Sequence, residues 1–321
     1  MLNLPPQETM VLEPLPTDEG DRWRPSCSTF TWREVILVAA ISSSQILDEY
    51  ITSGFFALIP ALMHDFGLSA RSMMWPTAIT SLLVSAFLIL FGRAVDMCGG
   101  SHVYLTGIAW TLIWMLYAGF ATNITTLTFC RAMQGLGTAA YLPAGLAMLG
   151  TIYPPGPQKN MAFSIYGAMA PLGSFIGILI ASLALQYAHW RWYFWIGTVI
   201  ALVTLSGFLL TRPSRTVRVS SRDIHVDWLG GMSLAVTITL FVYTATEAAD
   251  AARGRHTACV IAAGFATVIG IIATAFVETH VAKQPLLPAS IWKVRCMRPL
   301  LSALLLSYGA VSLYTCYATL Q

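Results

Sequence analysis

Charge is scarce in this sequence: of 321 residues, only 10% are Asp, Glu, Lys or Arg. A soluble globular domain carries about a quarter, so too little charge is present here to cover a water-facing surface. The six cysteines (Cys27, Cys98, Cys130, Cys259, Cys296 and Cys316) stand apart, with no C-x-x-C spacing. That excludes a disulfide frame, a redox pair or a zinc ribbon, and the cysteines read as small apolar fillers. The six histidines are solitary and lie mostly near predicted loops, so they outline no metal centre or acid–base enzyme site. No Gly-x-x-x-x-Gly-Lys-Ser/Thr loop occurs, which leaves no ATP site of that type. The net charge of +3 is too small to argue for nucleic acid. These absences predict no enzyme, no cofactor, no metal and no nucleic-acid partner.

What the chain has is apolar length, with 56% hydrophobic residues. Residues 1–34 are polar and hold Pro5, Pro6, Pro14, Pro16 and Pro25. No basic stretch leads into an apolar core there, so a cleavable signal peptide is excluded and a disordered cytoplasmic tail is predicted. About 20 apolar residues cross a bilayer as a helix. On that ruler the chain predicts nine spans, at 35–62, 73–92, 103–121, 127–150, 162–187, 192–211, 228–247, 257–277 and 300–321. The connections are mostly short, which predicts that successive helices are antiparallel neighbours. The bilayer itself is then the first partner.

Orientation follows from lysine and arginine placement. With the amino terminus in the cytoplasm, all but Arg71, Arg131, Arg191, Arg253 and Arg255 of the 18 basic residues lie inside. Trp190, Trp192, Tyr193, Phe194 and Trp195 cluster where the sixth span begins, as an interfacial aromatic belt does. Asn123-Ile124-Thr125 is a sequon in a loop too short to invite glycosylation.

Three stretches break the apolar monotony. In the fourth span Arg131 and Gln134 share a helical face, and Gly135 and Gly137 follow. Those glycines predict close approach by another helix next to a charge held inside a span. In the fifth span Gly167, Ala170, Gly173, Ser174 and Gly177 form a small-residue stripe around Pro171. After the second span the chain reads Gly92-Arg93-Ala94-Val95-Asp96-Met97-Cys98-Gly99. There Gly92 predicts a close helix approach at the cytoplasmic face, with Asp96 facing a helix terminus or an arginine. The remaining acids of interest are Asp48 and Glu49 near the middle of the first span. Glu247, Asp250 and Glu278 read as interfacial.

Taken in order, these motifs resemble the major facilitator superfamily of transporters, and specifically its fungal fourteen-span drug:proton antiporter branch. The family's loop pattern Gly-x-x-x-Asp-Arg-x-Gly-Arg-Lys is met by Gly92, Asp96 and Gly99. Its fourth-span pattern Arg-x-x-Gln-Gly-x-Gly is met in full by Arg131, Gln134, Gly135 and Gly137. Its fifth-span glycine–proline motif is represented by Gly167, Pro171, Gly173 and Gly177, with Ala170 where a glycine is usual. Pro285-Leu286-Leu287-Pro288 resembles the segment before the second half in that branch. Met97, Gly100 and Ser101 stand where the family usually has cations in the gating loop, leaving Arg93 and His102 as the local basic groups.

The resemblance implies an all-α helical bundle of the major facilitator type with an incomplete second half. Residues 35–211 would form a first six-helix bundle and 212–227 a basic cytoplasmic linker. Two extra linker helices would occupy 228–278, and 279–321 would hold a cytoplasmic loop and the first helix of the second half. The implied activity is proton-coupled efflux of a small organic molecule such as a toxin, drug or secondary metabolite. Inorganic cations or siderophores are the alternative cargo, and a non-autonomous or inactive fragment is the alternative reading of the chain. The implied location is the plasma membrane, or else the vacuolar membrane. In this family the first and fourth helices line the cavity, so Asp48 or Glu49 would pair with Arg131 and a proton would break the pair. The fifth-span stripe would pack on a helix of the other half.

Overall fold

A computed structural model describes residues 32–68, 70–211, 228–251, 257–277, 280 and 297–320. The predicted tail up to residue 31, the basic linker 212–227, Glu278, the segment with Pro285–Pro288 and Gln321 lie outside the described residues. The described residues form α1 (Trp32–Phe66), α2 (Ala70–Cys98), α3 (Gly100–Ala118), α4 (Ile124–Ile152), α5 (Pro157–Tyr187), α6 (Arg191–Thr211), α7 (Trp228–Ala251), α8 (Thr257–Phe276) and α9 (Met297–Leu320). Each falls on one predicted apolar run.

Six of the nine, α1, α2, α4, α5, α6 and α8, are long and apolar enough to cross a membrane by length and composition. The other three do not meet that measure over their described residues. Helix α3 carries Ser101, His102, Thr106 and Thr111 within 19 residues, while α7 and α9 have only part of their side chains described. Helix ends overrun the predicted spans because an established helix extends cheaply past the hydrocarbon. The 35 residues of α1 rise about 50 Å at 1.5 Å per residue, against a core of about 30 Å.

Local chemistry sets the breaks. The Asn123 side chain accepts from the Thr126 N–H at 2.7 Å and caps α4. Pro157 opens α5, where its missing N–H costs nothing. Between α2 and α3, Gly99 has φ +85°, a conformation that side-chain-bearing residues rarely adopt.

Packing does not follow chain order. Helix α1 lies chiefly against α5 and α6, α3 against α4 and α6, α2 against α4, and α7 against α8 and α2. Helix α5 touches its sequence neighbours α4 and α6 only slightly, which corrects the expectation of successive neighbours there, while α3 with α4 and α7 with α8 meet it. A short loop constrains one end of each helix; burial along the length is decided by which faces fit.

Those faces are aromatic and polar-edged. The largest fully buried side chains are Arg131, Tyr50, Tyr104, Tyr141, Tyr193, Phe55, Phe194 and Phe208. Tyr104 donates to the Ala40 carbonyl at 3.0 Å, joining α3 to α1. Tyr50 and Tyr193 stack at 4.5 Å, and each donates its hydroxyl to the other's backbone carbonyl. This reciprocal staple joins α1 to α6 without leaving a buried hydroxyl unpaired. Helices α7 and α8 meet through Thr237–Thr274 at 3.0 Å and Thr244–Thr267 at 3.3 Å.

The predicted aromatic belt divides. Trp192 is half exposed, but Trp190, Tyr193 and Phe194 are buried, because helical periodicity turns them inward. The Trp190 indole donates to Asp65 Oδ2 at 2.8 Å and holds the carboxyl-terminal end of α1 to the start of α6.

Candidate functional site

Arg131 is 1% exposed. Its Nη1 donates to the Ile51 carbonyl of α1 at 2.7 Å and meets Gln134 Oε1 at 3.5 Å. Its Nε donates to the Pro76 carbonyl of α2 at 3.4 Å. The guanidinium also lies 4.1 Å from the centre of the Phe55 ring. Carbonyl dipoles and a π face thus surround the charge. The Gln134 amide continues outward, its Nε2 donating to the Trp114 carbonyl of α3 at 3.2 Å. One arginine–glutamine pair therefore ties α4 to α1, α2 and α3.

The glycines after it make this approach possible. A Cβ on Gly135 would lie 2.6 Å from the Thr80 carbonyl oxygen of α2. A Cβ on Gly137 would lie 3.0 Å from the Gly107 carbonyl oxygen of α3. The first distance is too short for a real side chain, the Gly137 Cβ would also clash with Thr111 Oγ1 of α3, and both helices are neighbours of the arginine, as the sequence predicts.

The expected pair between Arg131 and a carboxylate is not formed. Phe55, which the guanidinium covers, stands two turns along α1 from Asp48, about 10 Å at 1.5 Å per residue. Glu49 is engaged elsewhere: its Oε2 accepts from Ser174 Oγ of α5 at 2.8 Å and from Ser53 Oγ at 3.5 Å. The two serine hydroxyls are themselves 3.0 Å apart. Asp48 differs from its neighbour. Half-buried, it makes no hydrogen bond or ion pair among the described residues. Its electrostatic neighbours are Glu49, Tyr141 of α4 and Tyr166 of α5.

The α5 stripe splits between two faces. A Cβ on Gly173 would lie 2.7 Å from the Ile46 carbonyl oxygen, and one on Gly177 would lie 3.0 Å from Tyr50 Cα. These glycines seat α5 on α1, so the contact lies within the same bundle and not on a helix of another half. The reason is shape: α1 presents Gly54 there, and its Cβ would come within 2.6 Å of the Gly177 oxygen. Gly167 and Pro171 face the other way and are exposed.

The residues predicted for a gating loop lie at the end of α2. A Cβ on Gly92 would meet nothing within 4 Å, so the predicted close helix approach is absent there among the described residues. Arg93 is half-buried and Asp96 exposed. Gly99 is required by its backbone angle, since its Cβ position is open. Sequence reading missed Ser53 and Ser174 as partners of Glu49, and Tyr141 and Tyr166 as neighbours of Asp48. The four-residue spacing from Glu49 to Ser53 was the one local signal available.

Comparison with known proteins carries the argument from geometry to family. The Major Facilitator Superfamily matches residues 41–321. The chain is 28% identical over 307 residues to the aminotriazole resistance protein of Saccharomyces cerevisiae, covering 94% of this chain and 56% of that one. It is 32% identical over 216 residues to the low affinity ammonium transporter of the same yeast, covering 65% and 42%. It is 33% identical over 210 residues to the efflux pump terJ of Aspergillus terreus, covering 64% and 40%. The chain thus spans about half the length of these relatives. In fold it is similar to the peptide transporter POT solved with sulfate, at TM-score 0.56 and 18% identity over 75% of this chain and 52% of that one. A match over most of the chain, on a bundle of apolar helices, makes this a multi-pass integral membrane protein of a transporter family and not an enzyme: the chain belongs to the Major Facilitator Superfamily.

Proposed function

We propose that this chain serves a proton-coupled transporter that exports a small organic molecule such as a toxin, drug or secondary metabolite. The observation that carries the reading is Asp48, a half-buried carboxylate in mid-span with no hydrogen bond or ion pair among the described residues. An ionisable group inside a span is a functional group by default. Without a protein cation beside it, its charge is cancelled by a proton or by a ligand, and exchange between the two biases the conformational equilibrium. Glu49, bonded by Ser174 and Ser53, acts as an anchor between α1 and α5. Arg131 braces α4 against α1 and α2, and Gln134 extends the brace to α3. Resistance and efflux in the names of two relatives support export as the direction.

In this reading α1–α6 are the first six-helix bundle, α7 and α8 an inserted pair, and α9 the first helix of a second half. The asymmetry of basic residues supports a cytoplasmic amino terminus, and the plasma membrane is the proposed location, with the vacuolar membrane as alternative. Gly92, Arg93, Asp96 and Gly99 would form the cytoplasmic gating loop, and Gly167 and Pro171 the face of α5 turned toward the second half.

The test is flux. The purified chain is placed in liposomes loaded with aminotriazole, and release is followed with and without an imposed proton gradient. Gradient-dependent release that Asp48→Asn abolishes is the expected result. Release that ignores either the gradient or the substitution overturns the proton role of Asp48. No release at all favours the second reading, a chain that does not transport alone.

A further inference from the structure

We propose that a groove on the lipid-facing side of α2, α3 and α4 binds a membrane sterol. Its fused rings lie along Gly107, Gly137 and Ala140 beside the Trp110 indole, and its hydroxyl meets His102. The site needs only a chain embedded in a bilayer, so it stands apart from the proton and cargo reading above.

The groove begins at a helix crossing. Gly107 of α3 and Gly137 of α4 bring two backbones together, and a Cβ on Gly107 would lie 2.9 Å from the Tyr141 nitrogen and 3.1 Å from the Ala140 Cβ. Small residues at such a crossing leave the space beside it empty of side chains. Larger ones stand around that space. Phe91 of α2, Trp110 of α3 and Leu136 of α4 wall a cavity of about 280 Å³, with Thr106 at its rim and Gly107, Gly137 and Ala140 as its floor. The floor is buried, Phe91 and Leu136 are half-buried, and Thr106 and Trp110 are exposed, so the groove opens outward. The indole does not swing in to close it, because Trp110 Nε1 donates to the Met133 carbonyl of α4 at 3.0 Å and holds the ring in place.

The surroundings decide what enters. Beyond Trp110, Ile113, Leu116 and Tyr117 of α3 are exposed as well, an apolar face that meets lipid in a multi-pass membrane protein. Water has no hold in the groove, since an ordered water needs several polar partners. The hydroxyl at the rim, Thr106 Oγ1, donates back to its own helix, to the His102 carbonyl at 3.0 Å and the Val103 carbonyl at 3.1 Å. Hydrocarbon therefore fills the groove.

Of the hydrocarbons a bilayer offers, a rigid ring system fits better than an acyl chain. An acyl chain loses rotational freedom at each bond laid against a fixed wall, whereas fused rings have little to lose. Glycine and alanine leave a flat bed for such rings, and the fixed indole stands along it. Depth agrees with this occupant. Phe91 stands seven residues before the end of α2 at Cys98, and Thr106 six residues after the start of α3 at Gly100. Both thus lie about 10 Å from neighbouring helix ends, at 1.5 Å per residue. That is where rings sit beneath a hydroxyl held at the membrane surface. His102 is exposed and four residues before Thr106, so it shares that helix face one turn nearer the surface. An imidazole can both donate and accept a hydrogen bond, which suits a hydroxyl.

The test is photolabelling of the full chain in phosphatidylcholine nanodiscs. One set of discs holds a cholesterol analogue with a diazirine on its rings; a parallel set holds phosphatidylcholine with the diazirine in its acyl chain, at the same mole fraction. Adducts are mapped by peptide mass spectrometry. The sterol probe is expected to label Phe91, Trp110 or Leu136 at least about fivefold more than the acyl probe does, and unlabelled cholesterol should displace it. Thr106→Phe fills the groove from an exposed position and should cut the sterol label at least about fivefold. His102→Ala should cut it about threefold. Size-exclusion profiles matching the wild type show that the variants fold, and His102→Ala alone keeps the test decisive if Thr106→Phe does not. Sterol label scattered over all lipid-facing helices, absent from the groove, or indifferent to these substitutions overturns the proposal. Equal labelling of the groove by the acyl probe assigns it to a phospholipid chain and overturns the sterol.

Discussion

Two charged regions inside one helical bundle are treated in opposite ways. Around Arg131 the polar groups are matched, with two backbone carbonyls, an amide and an aromatic ring closing on the guanidinium. Around Asp48 they are not: the carboxylate lacks a partner, and the nearby buried Tyr166 hydroxyl lacks one too. The first region joins four helices and is sealed from solvent, while the second is only half-buried. A satisfied buried charge builds structure, and an unsatisfied one is a candidate for function. The most specific sequence motif here therefore marks the brace, and the carboxylate proposed to carry the proton lies outside it.

The strongest way to break this comparison is to push the braced helices apart. Gly135→Leu places side-chain atoms where a Cβ alone would already lie 2.6 Å from the Thr80 oxygen, and the expected outcome is no monodisperse protein on size-exclusion chromatography. Removing the charge comes next. Arg131→Ala leaves a cavity and unpaired groups among three helices, an expected loss of about 3 kcal/mol. That loss is measured as a fall of roughly 5–10 °C in the melting temperature in detergent. Arg131→Lys should recover only part of it, since an ammonium cannot reproduce the fork of donors.

Smaller effects separate the carboxylates. Ser174→Ala removes the 2.8 Å bond to Glu49 and should cost about 1 kcal/mol of thermal stability. Asp48→Asn should cost almost nothing in the same assay, because no bond is lost, and should act on ligand binding alone. A large melting-temperature drop for Asp48→Asn would mean that Asp48 belongs to the brace. The smallest contrast tests the gating loop. Gly99→Ala should destabilise by about 1 kcal/mol through its φ of +85°. Gly92→Ala, at an open position, should stay within about 0.5 kcal/mol.

Much of this was legible beforehand. The scarcity of charge and the nine apolar runs placed every helix, since a buried backbone in hydrocarbon has to satisfy its own hydrogen bonds. Arg131, Gln134, Gly135 and Gly137 were legible as a close-packed, charged helix face because small residues beside a charge serve few other purposes. Ser174 was visible only as part of a small-residue stripe. Its bond to Glu49 depends on where Gly173 and Gly177 seat α5 against α1, which no local pattern encodes. The same holds for Trp190, which reads as an interfacial anchor yet turns inward to Asp65.

The sequence by itself determined that this chain lives in a membrane, which runs form its helices, and which family its motifs mark. Those are consequences of composition, of 20-residue apolar lengths and of residues close together in the chain. Tertiary structure alone decided which helices touch, that Arg131 is braced by carbonyls of Ile51 and Pro76, and that of two adjacent acids Glu49 is bonded while Asp48 is left open. Adjacent residues on a helix point about 100° apart. What each one meets is therefore set by the neighbour packed against its own side, and that neighbour comes from far along the chain.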